Sequence, residues 1–227
     1  MNEDSLGLWE SLHAGGRMPD DTWPPEDMIR QISRLGFARS IRSSVKCLDV
    51  GCGSGPMTYY LAKSGYDVSA LDQSESAVRS CSRRLRNEGL AAAVERGDVR
   101  NLPYAPETFD FCLECQLLVC LPWSGARETI REINRVTRKG GFFLSRTPSE
   151  ACWGFGLGTS AGRHEWRDAS EGPFAGMGLA RFVSRDEITE LYSPFSVISV
   201  EHTQTTIDNG AHAIALWIVI CKKEEAL

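Results

Sequence analysis

With 227 residues and 42% apolar content, the chain is long enough for one well-cored domain and short for two. A net charge of −5 argues against a nucleic-acid or anionic-membrane surface, since both need concentrated Lys and Arg. The densest basic group, Arg79, Arg83, Arg84 and Arg86, has the spacing of one solvated helix face.

The opening Met-Asn-Glu-Asp lacks the basic and apolar regions of a signal peptide, and the longest apolar run, residues 213–221, is under half a membrane span. A cytoplasmic setting with reduced thiols is therefore expected. Leu6, Leu8, Trp9 and Leu12 make a short amphipathic segment closed by Gly15 and Gly16. Trp23-Pro24-Pro25 then introduces a helix with Met28, Ile29, Ile32 and Leu35 on its apolar side and Gly36 at its end. Residues 1–40 thus read as N-terminal cap helices. They either cover a sheet edge or fold over a bound ligand.

Residues 45–50 form an apolar run of the kind that makes a buried parallel strand. Gly51, Gly53 and Gly55 follow, letting the backbone turn sharply and approach a ligand. Pro56 sits where a helix start tolerates the missing N–H, Met57, Tyr60 and Leu61 give that helix an apolar face, and Gly65 ends it. A second strand, residues 68–71, finishes in Asp72, 21 residues after Gly51. A strand, glycine loop, helix, strand and acid in that order place a carboxylate where a ribose diol is held. The unit is read as a site for an adenosine-containing cofactor.

Two details separate it from a dinucleotide site. The third glycine falls one residue early, with Pro56 in its slot, and Asp49 puts a carboxylate at the strand end, which repels a pyrophosphate and suits an ammonium or sulfonium group. The run from Leu48 to Gly55, Leu-Asp-Val-Gly-Cys-Gly-Ser-Gly, resembles the first motif of class I S-adenosylmethionine-dependent methyltransferases. The resemblance implies S-adenosylmethionine as cofactor. It also implies a Rossmann-like, doubly wound α/β fold, with a mostly parallel seven-stranded sheet and an antiparallel terminal strand.

Residues 74–87 read as the next helix and 91–96 as a third strand, ending at Gly97-Asp98-Val99. An acid just past this strand is where similar enzymes hold the adenine amine. Strand four is residues 109–115. Its Cys112 and Cys115 have C-x-x-C spacing, but residues three apart on a strand point to opposite faces, and no second pair accompanies them, so no metal is expected. Cys115 matches the residue whose backbone touches the methionine end of the cofactor in related enzymes. The implied cofactor contacts are Asp49, Gly51, Cys52, Gly53, Gly55, Asp72, Gln73, Asp98, Val99 and Cys115. Many small-molecule relatives carry histidine after this strand, where Val119 and Cys120 stand here, and no Asn-Pro-Pro-Tyr-like segment is present.

Ser124 is expected to cap a helix burying Ile130, Ile133 and Val136, which Gly140 and Gly141 stop before strand five at 142–145. Periodicity then lapses, with seven glycines between Gly154 and Gly178. An insertion of this length reads as a lid over a small-ligand pocket, assigned to 147–183. Its Trp153 and Trp166, with Trp123 before it, are the candidate substrate contacts. His164, a side chain of the type that ionises near neutrality, and Glu114 are the candidate bases. Ser184 to Glu187 is a capping box, and two final strands follow, joined at Asp208-Asn209-Gly210.

The expected function is methyl transfer to a small-molecule metabolite by in-line displacement in a lid-covered pocket, within one domain spanning 1–227. The alternatives are a non-catalytic S-adenosylmethionine-binding subunit and, against Asp49 and Pro56, a nucleotide-dependent oxidoreductase.

Overall fold

The computed structural model describes residues 3–18 and 23–225. Of the N-terminal reading, the Leu6 side chain and residues 19–22 lie outside the described residues. Two helices come first, α1 (Glu3–Ala14) and α2 (Glu26–Arg34). The central unit is β1 (Lys46–Val50), α3 (Pro56–Lys63), β2 (Asp67–Asp72), α4 (Glu75–Asn87) and β3 (Ala93–Arg96). Pro56 starts α3 as expected. Ser74 caps α4 by accepting from the Ala77 N–H.

Next come β4 (Phe109–Cys115), α5 (Trp123–Val136) and β5 (Thr137–Pro148). The remainder is β6 (Thr159–Gly162), β7 (Glu165–Arg167), β8 (Leu179–Arg181), α6 (Glu187–Leu191), β9 (Ser196–Ile207) and β10 (His212–Lys222).

Seven strands form one sheet in the order β3-β2-β1-β4-β5-β10-β9. β10 alone runs antiparallel, between β5 and β9. This is the expected doubly wound architecture. Alternation along each strand sends neighbours to opposite faces. Leu48, Val50, Cys112 and Phe143 join Ile130 and Ile133 of α5 and Ile188 of α6 on one face. Cys47, Phe111 and Leu113 join Met28 and Ile32 of α2 and Met57 and Leu61 of α3 on the other. Cys112 and Cys115 accordingly part, one packing into each layer.

Three expectations are corrected. Ser124 does not cap α5, which begins one residue earlier; instead Glu165 of β7 accepts the Trp123 N–H at 2.6 Å, placing a carboxylate at the helix N-terminus. Gly140 and Gly141 do not separate helix from strand, because β5 already starts at Thr137. The segment 147–183 is not irregular throughout. It holds a three-stranded antiparallel sheet, β6-β7-β8, over a core of Cys152, Phe174, Ala180 and Phe182. The Ser184–Glu187 capping box forms in both directions, with N···O distances of 2.9 and 3.3 Å.

Helix α1 is tied down through one carboxylate. Glu10 accepts from the Ser74 and Ser76 hydroxyls and from the Ser76 N–H at the start of α4. Those donors hold its carboxyl down at about 2. The N-terminal helix therefore lies across the mouth of the glycine loop.

Candidate active site

In an open parallel sheet, ligands bind beyond the carboxyl ends of the strands where the strand order reverses. Here that point lies between β1 and β4. A cavity of about 340 Å³ opens there, in the range of small-molecule sites. Its floor is the glycine loop, and it extends from Asp72 at the end of β2, past Cys115 at the end of β4, to Arg146 on β5.

The loop is built by its own backbone. The Gly51 and Cys52 N–H groups both donate to the Leu71 carbonyl, folding β1 back against β2. The Gly53 N–H donates to Asp72 Oδ2 at 2.9 Å, and the Ser74 N–H to Oδ1 at 2.9 Å. Each carboxylate oxygen is thereby oriented and keeps accepting capacity toward the cavity. Burial raises the Asp72 carboxyl above the usual range, with the backbone donors working against it. Two further hydroxyl donors would relieve that desolvation. A ribose diol fits.

Gly53 has φ +54, and a Cβ there would have His13 Cε1, 3.8 Å away, as its nearest neighbour; the space above it is cavity. Gly55 plays a different part. A Cβ there would lie 2.4 Å from Cys81 Sγ, so Gly55 lets α3 and α4 close on each other rather than facing a ligand.

Among the expected cofactor residues, Gly51, Cys52, Gly53, Asp72, Gln73, Val99 and Cys115 line the cavity. Asp49, Gly55 and Asp98 do not. Asp49 points toward α3 and accepts from Thr58 Oγ1 at 2.6 Å. The Asp98 carboxylate is turned to Arg100, which donates from Nε, Nη2 and the backbone.

The two candidate bases also fall outside the lining. Glu114 is fully enclosed and accepts from the Leu117, Leu118 and Arg146 N–H groups and from Ser145 Oγ. It shapes the turn after β4, where Gln116 takes a left-handed φ of +63 and lines the cavity. His164 is bound to Glu187 at 2.8 Å and Glu150 at 3.3 Å and stacks near Trp166.

The three tryptophans are packing residues too. Trp166 packs edge-on against Phe155 and Phe182, Trp153 stacks on His212, and Trp123 opens α5 beneath the Arg181 guanidinium. From segment 147–183, Pro173, Phe174 and Met177 reach the cavity instead.

Sequence reasoning passed over His13, Arg146 and Arg181. His13 and Arg146 line the cavity, together with Trp9, Met18 and Trp23 from the N-terminal segment. Arg181 is fully buried behind the cavity wall, donating to the Leu118 and Leu121 carbonyls from β8. It joins the three-stranded sheet to the turn after β4. Val119 and Cys120 of that turn line the cavity without offering a base, since burial drives the Cys120 thiol up.

Residues 47–141 match the family model of a methyltransferase domain. Phthiotriol/phenolphthiotriol dimycocerosates methyltransferase of Mycobacterium tuberculosis is 36% identical over 98 residues, 42% of this chain and 35% of that protein. Methyltransferase GfsG of Streptomyces halstedii is 30% identical over 130 residues, 52% of this chain and 46% of that one. The chain thus spans less than half the length of these curated relatives.

Among solved structures, an S-adenosylmethionine-dependent methyltransferase of Methanosarcina mazei superposes with TM-score 0.69 at 21% identity, covering 80% of this chain and 93% of that one. The 1,6-didemethyltoxoflavin-N1-methyltransferase of Burkholderia thailandensis, crystallised with S-adenosylhomocysteine, superposes with TM-score 0.65 at 16% identity over 99% and 91%. At these identities the superpositions speak to fold. Residues 47–141 thus resemble a methyltransferase domain in their sequence match, and the sheet order is that of the superposed S-adenosylmethionine-dependent methyltransferase.

Proposed function

We propose that the chain transfers a methyl group from S-adenosylmethionine to a small, largely apolar metabolite. In this reading it is a single domain in which residues 1–40 cap the cofactor and residues 147–183 cover the acceptor. The observation that carries it is one continuous cavity. It joins Asp72 and the glycine loop to Phe174 and Met177 of the lid, with neutral side chains at Leu117, Val119, Cys120 and Leu121 between them. The Mycobacterium tuberculosis relative is named for phthiotriol and phenolphthiotriol dimycocerosates and the Burkholderia thailandensis enzyme for 1,6-didemethyltoxoflavin, which supports the same class.

Bound S-adenosylmethionine supplies a methyl already activated by its sulfonium. The chain's own part is positioning, which can contribute roughly 7–11 kcal/mol to the rate. Asp72 accepts the ribose hydroxyls, Gly53 leaves room for the cofactor backbone, and Pro173, Phe174 and Met177 exclude water. If the acceptor must lose a proton, His13 is the imidazole facing the cavity and is placed to take it.

Fold alone does not fix the reaction, since the cyclase SpnF superposes with TM-score 0.65. Incubation with S-adenosylmethionine and candidate metabolites is expected to yield products heavier by one methyl group in mass spectra. Tight S-adenosylhomocysteine binding with no methylated product from any acceptor would favour the non-catalytic subunit.

Gly53→Ala is expected to weaken S-adenosylhomocysteine binding by roughly tenfold or more, because the new methyl enters the cavity. Thermal unfolding with and without ligand reads it, and an undiminished ligand shift would remove Gly53 from the site.

His164→Ala is expected to cost on the order of 1–3 kcal/mol of stability, by leaving the buried Glu187 short of a partner, while turnover persists. Urea unfolding beside a turnover assay tests this. A folded variant slowed by about 10²-fold or more would restore His164 as the base.

A further inference from the structure

We infer that Arg146 is an anion-binding point at the acceptor end of the cavity, selecting acceptors that carry a carboxylate or an equally anionic oxygen. The inference rests on the methyltransferase reading above and adds the chemical class of the acceptor.

The first ground is position. Asp72 ends β2, and the sheet runs β2-β1-β4-β5, so Arg146 on β5 stands three strands away from it. At about 4.8 Å per strand that is on the order of 14 Å. Arg146 pairs in register with Cys115 at the end of β4, beyond the point where the sheet order reverses. A cofactor whose ribose is held at Asp72 would extend toward the end of β4, and Arg146 would then stand on the acceptor's side of the cavity.

The second ground is the state of the guanidinium. Only Nε is engaged, donating to Asp27 Oδ1 and Oδ2 at 3.1 Å each. Nη1 and Nη2 make no hydrogen bond to any described residue, although the side chain is only 15% exposed. Asp27 itself sits in the first turn of α2 and accepts the Met28 N–H at 2.7 Å, so part of its charge is answered by the helix terminus. It orients the arginine without spending the two Nη groups. A guanidinium fork left half-used in a poorly hydrated place is a bidentate receptor for a planar anion.

The third ground is the company it keeps. Among the described residues lining the cavity, Arg146 is the one permanently charged cation. Cys115, its partner on β4, and Val119, Cys120 and Phe174 of the same cavity are neutral, and burial pushes the Cys115 thiol up to about 12. A charged acceptor group therefore has one place to go. The cofactor's own methionine carboxylate is the other anion within reach of this end, and the test separates the two sources.

The test uses the full chain loaded with S-adenosylhomocysteine, titrated with benzoate and 2-naphthoate and with their uncharged amides. Wild type is expected to bind the acids about tenfold or more tightly than the amides. Arg146→Gln should erase that preference and Arg146→Lys should keep part of it. The double variant Asp27→Asn with Arg146→Gln replaces the single one if an unpaired Asp27 impairs folding. Equal affinity for acid and amide, or no measurable binding of either acid, overturns the inference while leaving the methyltransferase reading intact.

Binding of S-adenosylhomocysteine and of 5′-methylthioadenosine, which lacks the carboxylate, forms the second arm. If Arg146→Gln weakens the first by about tenfold and leaves the second unchanged, the anion is the cofactor's own and the acceptor assignment falls. Failure of the wild type to bind S-adenosylhomocysteine at all overturns the underlying reading, and this inference with it.

Discussion

Asp72→Ala is expected to weaken S-adenosylhomocysteine binding by about a hundredfold to about ten-thousandfold. Charge-assisted hydrogen bonds to two ribose hydroxyls are worth about 1.5–3 kcal/mol each, and about 1.4 kcal/mol is a decade of affinity. The structure adds a second loss. Both oxygens of Asp72 organise the loop, Oδ2 through Gly53 and Oδ1 through Ser74, so alanine also frees the two N–H groups that shape the cavity floor. Asp72→Asn separates the effects. Its amide keeps the shape but must turn an NH₂ toward one of the two backbone donors, and it carries no charge for the diol. An affinity between those of alanine and wild type is expected for asparagine, read by titration calorimetry on variants whose far-UV spectra are native. Unchanged affinity in a folded alanine variant would move the ribose away from Asp72.

The parts of this chain legible in its sequence are those whose cause is local. The unit from β1 to β2 announces itself because strand, glycine turn, proline-started helix and terminal acid are each dictated by neighbouring residues, and β4 runs over 109–115 as its apolar run implies. The three-stranded sheet β6-β7-β8 was not legible. Its strands are three or four residues long, and the turns between them use positive φ at His164 and Asp168, which propensity does not favour. The aromatics of segment 147–183 are ambiguous in sequence for a physical reason. Phe155, Trp166 and Phe182 pack on one another, and an aromatic-rich insertion looks the same whether its rings bind a ligand or form its own core. His13 reaches the cavity only through tertiary docking, since Glu10 fastens α1 across α4 and brings the next helical turn over Gly53. The separation from β2 to β5 that gives Arg146 its place follows from strand order, which is a property of the sheet and of no single segment.

The second large effect concerns Asp49, whose carboxylate the sequence placed beside the ligand and the structure turns into the layer against α3. It is 2% exposed, and burial pushes its carboxyl from 3.8 up to about 7, against the stabilising bonds from Thr58. The sign of the pH dependence follows. Below about pH 4 the group is protonated in both states and contributes nothing. Between pH 4 and 7 the unfolded chain releases the proton while the folded chain retains it, so stability falls as pH rises. Above pH 7 the full penalty applies, roughly 4 kcal/mol, of which about 2–3 kcal/mol accrues between pH 5 and 8. Burial also raises Glu114 and Asp72, so they slope the same way, while the lowered Glu10 acts only at more acid pH. Asp49→Asn keeps an oxygen for Thr58 Oγ1 and removes the charge. Urea unfolding of the ligand-free protein is therefore expected to show the variant gaining on wild type steadily from pH 5 to pH 8, with part of the slope remaining. Parallel stability curves would mean that Asp49 ionises freely in the folded chain. Because this carboxylate faces Thr58 and not the cavity, the same substitution is expected to change S-adenosylhomocysteine affinity far less than Asp72→Ala does. An equal loss in the two variants would return Asp49 to the cofactor's side.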